Sequence, residues 1–175
     1  SPRLSTPPCP SWWGDRAIID VVAPIIDAMA GTVTYVGSIG AGNIAKLANQ
    51  TIVAVNIAAC AEAFMLAQKA GVDPEAVYQA IRGGLAGSTV MDAKVPMMLA
   101  RNFDPGFRIN LHIKDLGNVL ETGHGVNAPL PLTSLVREMM SVLDGDGHAA
   151  EDHASLVRVY EKQANIELTP GEPLD

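Results

Sequence analysis

Apolar side chains recur at three- and four-residue steps near the start of the chain, at Ala17, Ile18, Val21, Val22, Ile25 and Ile26, before a stop at Gly31. That spacing predicts an amphipathic helix over 15–31, weakened in its middle by Pro24. A β-branched and aromatic run over 32–36, bounded by Gly31 and Gly37, predicts a strand. Beyond Gly42 the pattern becomes helix upon helix. Residues 43–70 hold no proline or glycine and stop at Gly71, where a helix C-cap glycine belongs. Asp73, Pro74 and Glu75 then open a helix through Ile81 that ends at Gly83 and Gly84. Ser88 or Thr89 caps a further helix to about Arg101, kinked at Pro96. A loop over 102–106 precedes a helix over 109–122. Pro129 and Pro131 break the chain before a helix over 132–143, and the run 144–147 breaks it again before a last helix over 151–165.

Strand content is therefore close to nil after residue 37. A doubly wound sheet needs strands alternating with helices, so the predicted fold class is all-α: a helical bundle around one long central helix, spanning 39–168. Residues 15–38 form a helix-strand fragment without a sheet of its own. One strand cannot satisfy its backbone alone, so the fragment implies a sheet that lies elsewhere. Residues 1–14 are proline-rich, carry both tryptophans and show neither helical nor strand periodicity. They look foreign to the rest of the chain, as out-of-frame or appended sequence would. The closing run LTPGEPLD reads as a disordered tail, counted from 169.

Composition narrows the function. The 175 residues suit one ordinary core. A formal charge of −7, with no block of Lys or Arg, excludes a nucleic-acid partner. Residues 47–67 have a bilayer-spanning length, but Asn49, Gln50, Asn56 and Glu62 would each need a partner in hydrocarbon, so a buried helix is expected and no membrane. Cys9 and Cys60 form no CxxC pair, which suits a reducing compartment; the cytoplasm is expected. His112, His124, His148 and His153 fall on separate elements with no metal-ligand spacing, so no metal is expected and they read as surface or loop histidines. The methionines read as core filler.

The run GAGNIA over 40–45 follows a strand and opens a helix, as a dinucleotide fingerprint does, and Glu62 lies twenty residues beyond Gly42, where a ribose-binding acid could be sought. Glu62, however, sits inside the unbroken helical run, and no second strand intervenes. A glycine turn linking strand to helix is the better reading, with Glu62 structural. On that helix Gly42, Lys46, Asn49, Val53, Asn56 and Cys60 form one stripe. Lys46 has Ile44, Leu47 and Ala48 around it and lies near the helix N-terminus; a partly dry cleft and the helix dipole would both lower its pKa toward a value useful in proton transfer. Asn49, one turn on, offers a donor and an acceptor to a small polar ligand. A snorkelling lysine beside a structural asparagine satisfies the same spacing.

GxGxxxKxxN, from Gly40 to Asn49, resembles the start of the C-terminal domain of the β-hydroxyacid dehydrogenase family. Phe107 and the run Ile113, Lys114, Asp115, Leu116 resemble that family's late F-x6-K-D-L segment, and 81–89 resembles its tartronate semialdehyde (2-hydroxy-3-oxopropionate) reductase branch more than the 3-hydroxyisobutyrate branch. The resemblance covers about 15–168. It implies a fold of the 6-phosphogluconate dehydrogenase C-terminal type and an NAD- or NADP-dependent oxidoreductase. Lys46 matches the catalytic lysine, Asn49 orients a hydroxyacid or semialdehyde substrate, and Gly42 serves the turn on the substrate side. Lys114, with Phe107 and Asp115, lines the nicotinamide cleft; without the family, Lys114 and Asp115 read as a solvated pair. The family's nucleotide-binding domain, with its own fingerprint and serine loop, is expected outside these residues, which would keep only its last helix and strand and be inactive by themselves. A homo-oligomer through the helical domain is implied, and a non-catalytic helical oligomerisation module is the competing reading.

Overall fold

The computed structural model describes residues 11–13, 16–29 and 34–171. The chain divides into two compact units, Ser1–Asn49 and Gln50–Asp175, with the division inside a helix.

In the first unit, β1 (Ser11–Trp13) is followed by α1 (Arg16–Met29), β2 (Thr34–Gly37) and the opening turns of α2 (Ala41–Lys69). β1 and β2 pair in parallel, Ser11 with Thr34 and Trp12 with Tyr35. Three residues of a segment that shows no strand periodicity in sequence thus supply a partner for β2. Aromatic side chains favour a pleated backbone, and a helical crossover is what a parallel pair requires. Pro24 does not interrupt α1. Ile18, Val21 and Ile25 are exposed along it.

The second unit is the expected all-α bundle. It holds the rest of α2, then α3 (Pro74–Ile81), α4 (Thr89–Leu99), α5 (Ile109–Gly125), α6 (Pro131–Gly145), a 3-10 helix (His153–Leu156) and α7 (Val157–Ala164). α2 has the length and apolarity of a membrane span. Its apolar positions nevertheless alternate in three- and four-residue steps: Ala54, Ile57, Ala61 and Phe64 have no exposed surface and form the axis of the core, while Ile52 and Leu66 face outward. Val95, Met98, Ile109, Leu116, Met140, Leu156 and Val157 are likewise fully buried, and the Tyr78 ring meets Phe64 edge-on.

Local chemistry sets the helix ends. The Asp73 carboxylate accepts from the Glu75 amide at 3.0 Å and Pro74 takes the first helical position of α3. Ser88 caps α4 through the Met91 amide, and Pro96 is accommodated without a break. α5 outruns its expected end at 122 because Gly123, buried against Leu130, leaves room for the chain to double back into α6.

The closing segment corrects the sequence reading. Leu168 is fully buried, its amide donating to Glu161 Oε1 at 2.9 Å, while the amides of Thr169 and Gly171 reach the Gln68 side chain and Asp73 Oδ1. A Cβ on Gly171 would lie 2.8 Å from the Asp73 Cβ, so only glycine permits this approach. Residues 172–175, like most of 1–14, lie outside the described residues.

Candidate functional site

Candidate residues occur in both units. In the first, β2 turns into α2 through Gly37 and Gly40, both at positive φ, and the Ile44 amide reaches the Gly40 carbonyl at 3.2 Å. Gly42 is buried in the first turn of α2, whereas Lys46 and Asn49 are exposed. Of the residues beside Lys46 on α2, Leu47 is buried while Ile44 and Ala48 are exposed. Further along that stripe Asn56 accepts from Ser88 Oγ at 3.3 Å, and Cys60 is buried, which pushes its thiol up to about 11. α2 is followed by α3 and not by a strand, and Glu62 faces the Tyr160 hydroxyl; burial first, then Glu62, raises that phenol to about 12.

In the second unit, α5 carries Lys114 and Asp115 and is preceded by Phe107. They do not form a solvated pair. The Lys114 ammonium is exposed and lies 3.8 Å from Asp115 Oδ1, but Asp115 is buried and its Oδ2 accepts from Gln50 Nε2 at 2.9 Å. His112, one turn earlier on the same face, approaches the Gln50 carbonyl with Nε2 at 3.3 Å. Two residues of α5 thus grip one residue of α2.

Behind this contact lies a buried polar cluster. His112 and His153 face each other, Nδ1 to Nδ1, at 2.9 Å, and both rings pack on Phe107. Asp152, fully buried, accepts from the Lys94 ammonium at 2.8 and 3.0 Å and from the amides of Gly106, Phe107 and Ala154. Burial opposes ionisation of Asp152, but the Lys94 ammonium and those amides outweigh it and hold the carboxyl below its ordinary range. His153 is pushed down to about 3, by burial first and then by the charges of Lys94 and His112. His112 is lowered by burial, against the opposing pull of the Gln50 carbonyl, Asp115 and Asp152.

These two histidines are not surface groups, which corrects the sequence reading; His124 is exposed and His148 Nδ1 lies 3.0 Å from Glu151 Oε1. Gln50, Lys94, His112, Asp152 and His153 were not singled out by sequence pattern. The only local signal was that His112 and Asp115 share a helix face, and nothing local ties either to residue 153. Among the described residues no group of three His, Cys, Asp or Glu could hold a metal ion.

Residues 40–160, which include Lys46, Asn49, Phe107, Lys114 and Asp115, match the family described as the NAD-binding domain of NADP-dependent 3-hydroxyisobutyrate dehydrogenase. The chain belongs to this family. Among curated relatives of this β-hydroxyacid dehydrogenase domain, the 2-hydroxy-3-oxopropionate reductase of Escherichia coli is 39% identical over 155 residues, covering 89% of this chain and 53% of the relative. The L-threonate dehydrogenase of Cupriavidus necator is 34% identical, covering 91% of this chain and 52% of its own length. Two solved 3-hydroxyisobutyrate dehydrogenases, from Salmonella typhimurium and from Mycobacterium tuberculosis with L-serine, each superpose with a TM-score of 0.77 at 28% identity over 85% of this chain. They are covered over 52% and 53% of their lengths. The chain thus spans about half the length of the relatives it matches.

Proposed function

We propose that this chain is the helical half of an NAD(P)-dependent β-hydroxyacid dehydrogenase that reduces tartronate semialdehyde (2-hydroxy-3-oxopropionate) to D-glycerate. The observation that carries the reading is the exposed pair Lys46 and Asn49, one turn apart on one face of α2 within the family-matched segment. In this reading 39–168 form the substrate and oligomer-forming domain, and 15–38 belong with a nucleotide-binding domain. The exposed Ile18, Val21 and Ile25 of α1 are an apolar face that a larger sheet would cover.

Asn49 orients the substrate, its amide N–H donating to a carboxylate or carbonyl oxygen and its oxygen accepting from a hydroxyl. The Lys46 ammonium donates a proton to the carbonyl oxygen as it becomes a hydroxyl; in the reverse direction the neutral amine takes that proton back. The exposed Lys114 ammonium and the half-buried Phe107 ring are the groups that fit a dinucleotide's charge and its flat ring face. When bound, the reduced nicotinamide supplies the hydride. Asp115, buried against Gln50, supports this edge from beneath.

The substrate assignment follows the relative at 39% identity and the 81–89 run, with L-threonate and 3-hydroxyisobutyrate as rivals. Steady-state comparison on the protein expressed from its whole gene decides among them: kcat/KM should be highest for tartronate semialdehyde, and a preference for either rival transfers the assignment. A second reading of the same domain concerns assembly. Ile52 and Leu66 on α2 and Leu132 and Leu135 on α6 are exposed apolar side chains suited to a homo-oligomer contact. Light scattering should return a dimer or larger species; a monomer at micromolar concentration removes that assembly.

A further inference from the structure

Phe107 is held by more bonds than a loop residue needs. It precedes α5 in a segment whose backbone is laced to the chain before and within the 3-10 helix. The Asp152 amide donates to the Phe103 carbonyl and the His153 amide to the Phe107 carbonyl, each at 2.9 Å, and the Ile109 amide reaches the Glu151 carbonyl at 3.0 Å. From the other side, Asp152 Oδ2 accepts the amides of Gly106 and Phe107. The ring is fixed separately: its centroid lies 5.4 Å from that of His112, nearly edge-on, and 5.5 Å from that of His153.

The two imidazoles are themselves locked. A carbonyl oxygen can only accept, so His112 Nε2 carries the hydrogen that faces Gln50. Neutral His112 then presents a lone pair at Nδ1, and His153 must donate its Nδ1–H across the 2.9 Å contact. One tautomer of each ring satisfies the geometry, and that pairing fixes both ring planes against Phe107. The charged groups facing the pair are Lys94 from α4, Asp115 from α5 and Asp152 before the 3-10 helix. Lys94 and Asp152 neutralise each other, so the imidazoles sit beside a closed ion pair.

We propose that His112 and His153, with the Lys94–Asp152 ion pair behind them, are positioning residues for Phe107, fixing both its backbone and its ring plane. The functional meaning rests on the reading of Phe107 as part of the nicotinamide cleft. There, a ring free to rotate would widen the slot that a planar ligand must fill.

The chain has three phenylalanines, and Phe64 and Phe103 are buried, so ring-labelled phenylalanine gives resolvable reporters in the full chain. Two variants separate the contacts. His153→Ala removes one ring and the donor; His112→Gln keeps an N–H for the Gln50 carbonyl while removing the Nδ1 acceptor and the ring. In each folded variant the Phe107 ring signals should shift and average, and exchange of the Phe107 amide should quicken about tenfold, while Phe64 stays unchanged. Phe107 signals that do not move, or that change together with Phe64 in His112→Gln, overturn the proposal. In the protein expressed from its whole gene, His112→Gln should raise KM for NAD(P)H about tenfold with a smaller change in kcat. Release of Phe107 with an unchanged cofactor KM would leave the positioning established and remove Phe107 from the nicotinamide cleft.

Discussion

Acid should weaken the helical unit well before its carboxylates protonate, because His153 is stored neutral. Its folded value lies near 3 against an ordinary 6.5, with burial as the leading cause. The sign comes from proton counting. Between pH 6.5 and 3 the unfolded chain binds a proton at this site and the folded chain does not, so lowering the pH favours unfolding. Stability is greatest above pH 6.5 and is lost progressively as pH falls toward 3. Each pH unit in that window is worth about 1.4 kcal/mol, so the descent from pH 6.5 to pH 5 removes about 2 kcal/mol through His153 alone. His112, also lowered by burial, adds to the loss. Glu151 and Asp152, which burial would raise but hydrogen bonds from Arg158 and His148 and from Lys94 and backbone amides hold low, contribute their own losses only as the unfolded carboxylates protonate, below ordinary values of 4.5 and 3.8. Urea unfolding followed by circular dichroism at 222 nm, at pH 7, 6 and 5, measures the slope. A midpoint that is flat from pH 7 to pH 5 refutes the reasoning, as does an equal slope in a folded His153→Phe variant.

Three further outcomes are expected from the same geometry. Asp152→Asn leaves the half-buried Lys94 ammonium without its counter-charge beside a fully buried amide and should cost about 3 kcal/mol, read as a lowered urea midpoint. Cys60, buried with its thiol pushed up to about 11, should resist a thiol reagent at pH 8 in the native chain and react on unfolding; peptide mass mapping of the modified residue checks this. Gly171→Ala forces a Cβ against Asp73 and should detach the closing segment, lowering thermal stability by a few degrees and exposing the 166–171 stretch to protease.

The parts of this fold that were legible from sequence were those written in local chemistry. Asp73 with Pro74 marked the start of α3, Ser88 marked α4, and Gly71, at φ +75, marked the end of α2. The prolines inside α1 and α4 do not end those helices, each costing one intrahelical hydrogen bond. What stayed hidden depends on partners far along the chain. Trp12 and Trp13 became a strand because β2 lies across a helical crossover. Thr169 and Gly171 are held because Gln68 and Asp73, about a hundred positions earlier, accept from their amides. His112 and His153 are 41 residues apart, and neither has a neighbour in sequence that announces burial. For the candidate site, motif resemblance picked out Lys46, Asn49, Phe107, Lys114 and Asp115. It could not tell an exposed Lys114 from a buried Asp115, because adjacent positions on a helix point about a quarter-turn apart.

The most direct test of the account lies at Lys46. In the protein expressed from its whole gene, Lys46→Ala should cut kcat for semialdehyde reduction by about a hundredfold to ten-thousandfold, as loss of a positioned proton donor does, while the affinity for NAD(P)H measured by fluorescence titration stays the same. A Lys46→Ala enzyme that reduces its substrate at the parental rate would contradict the account.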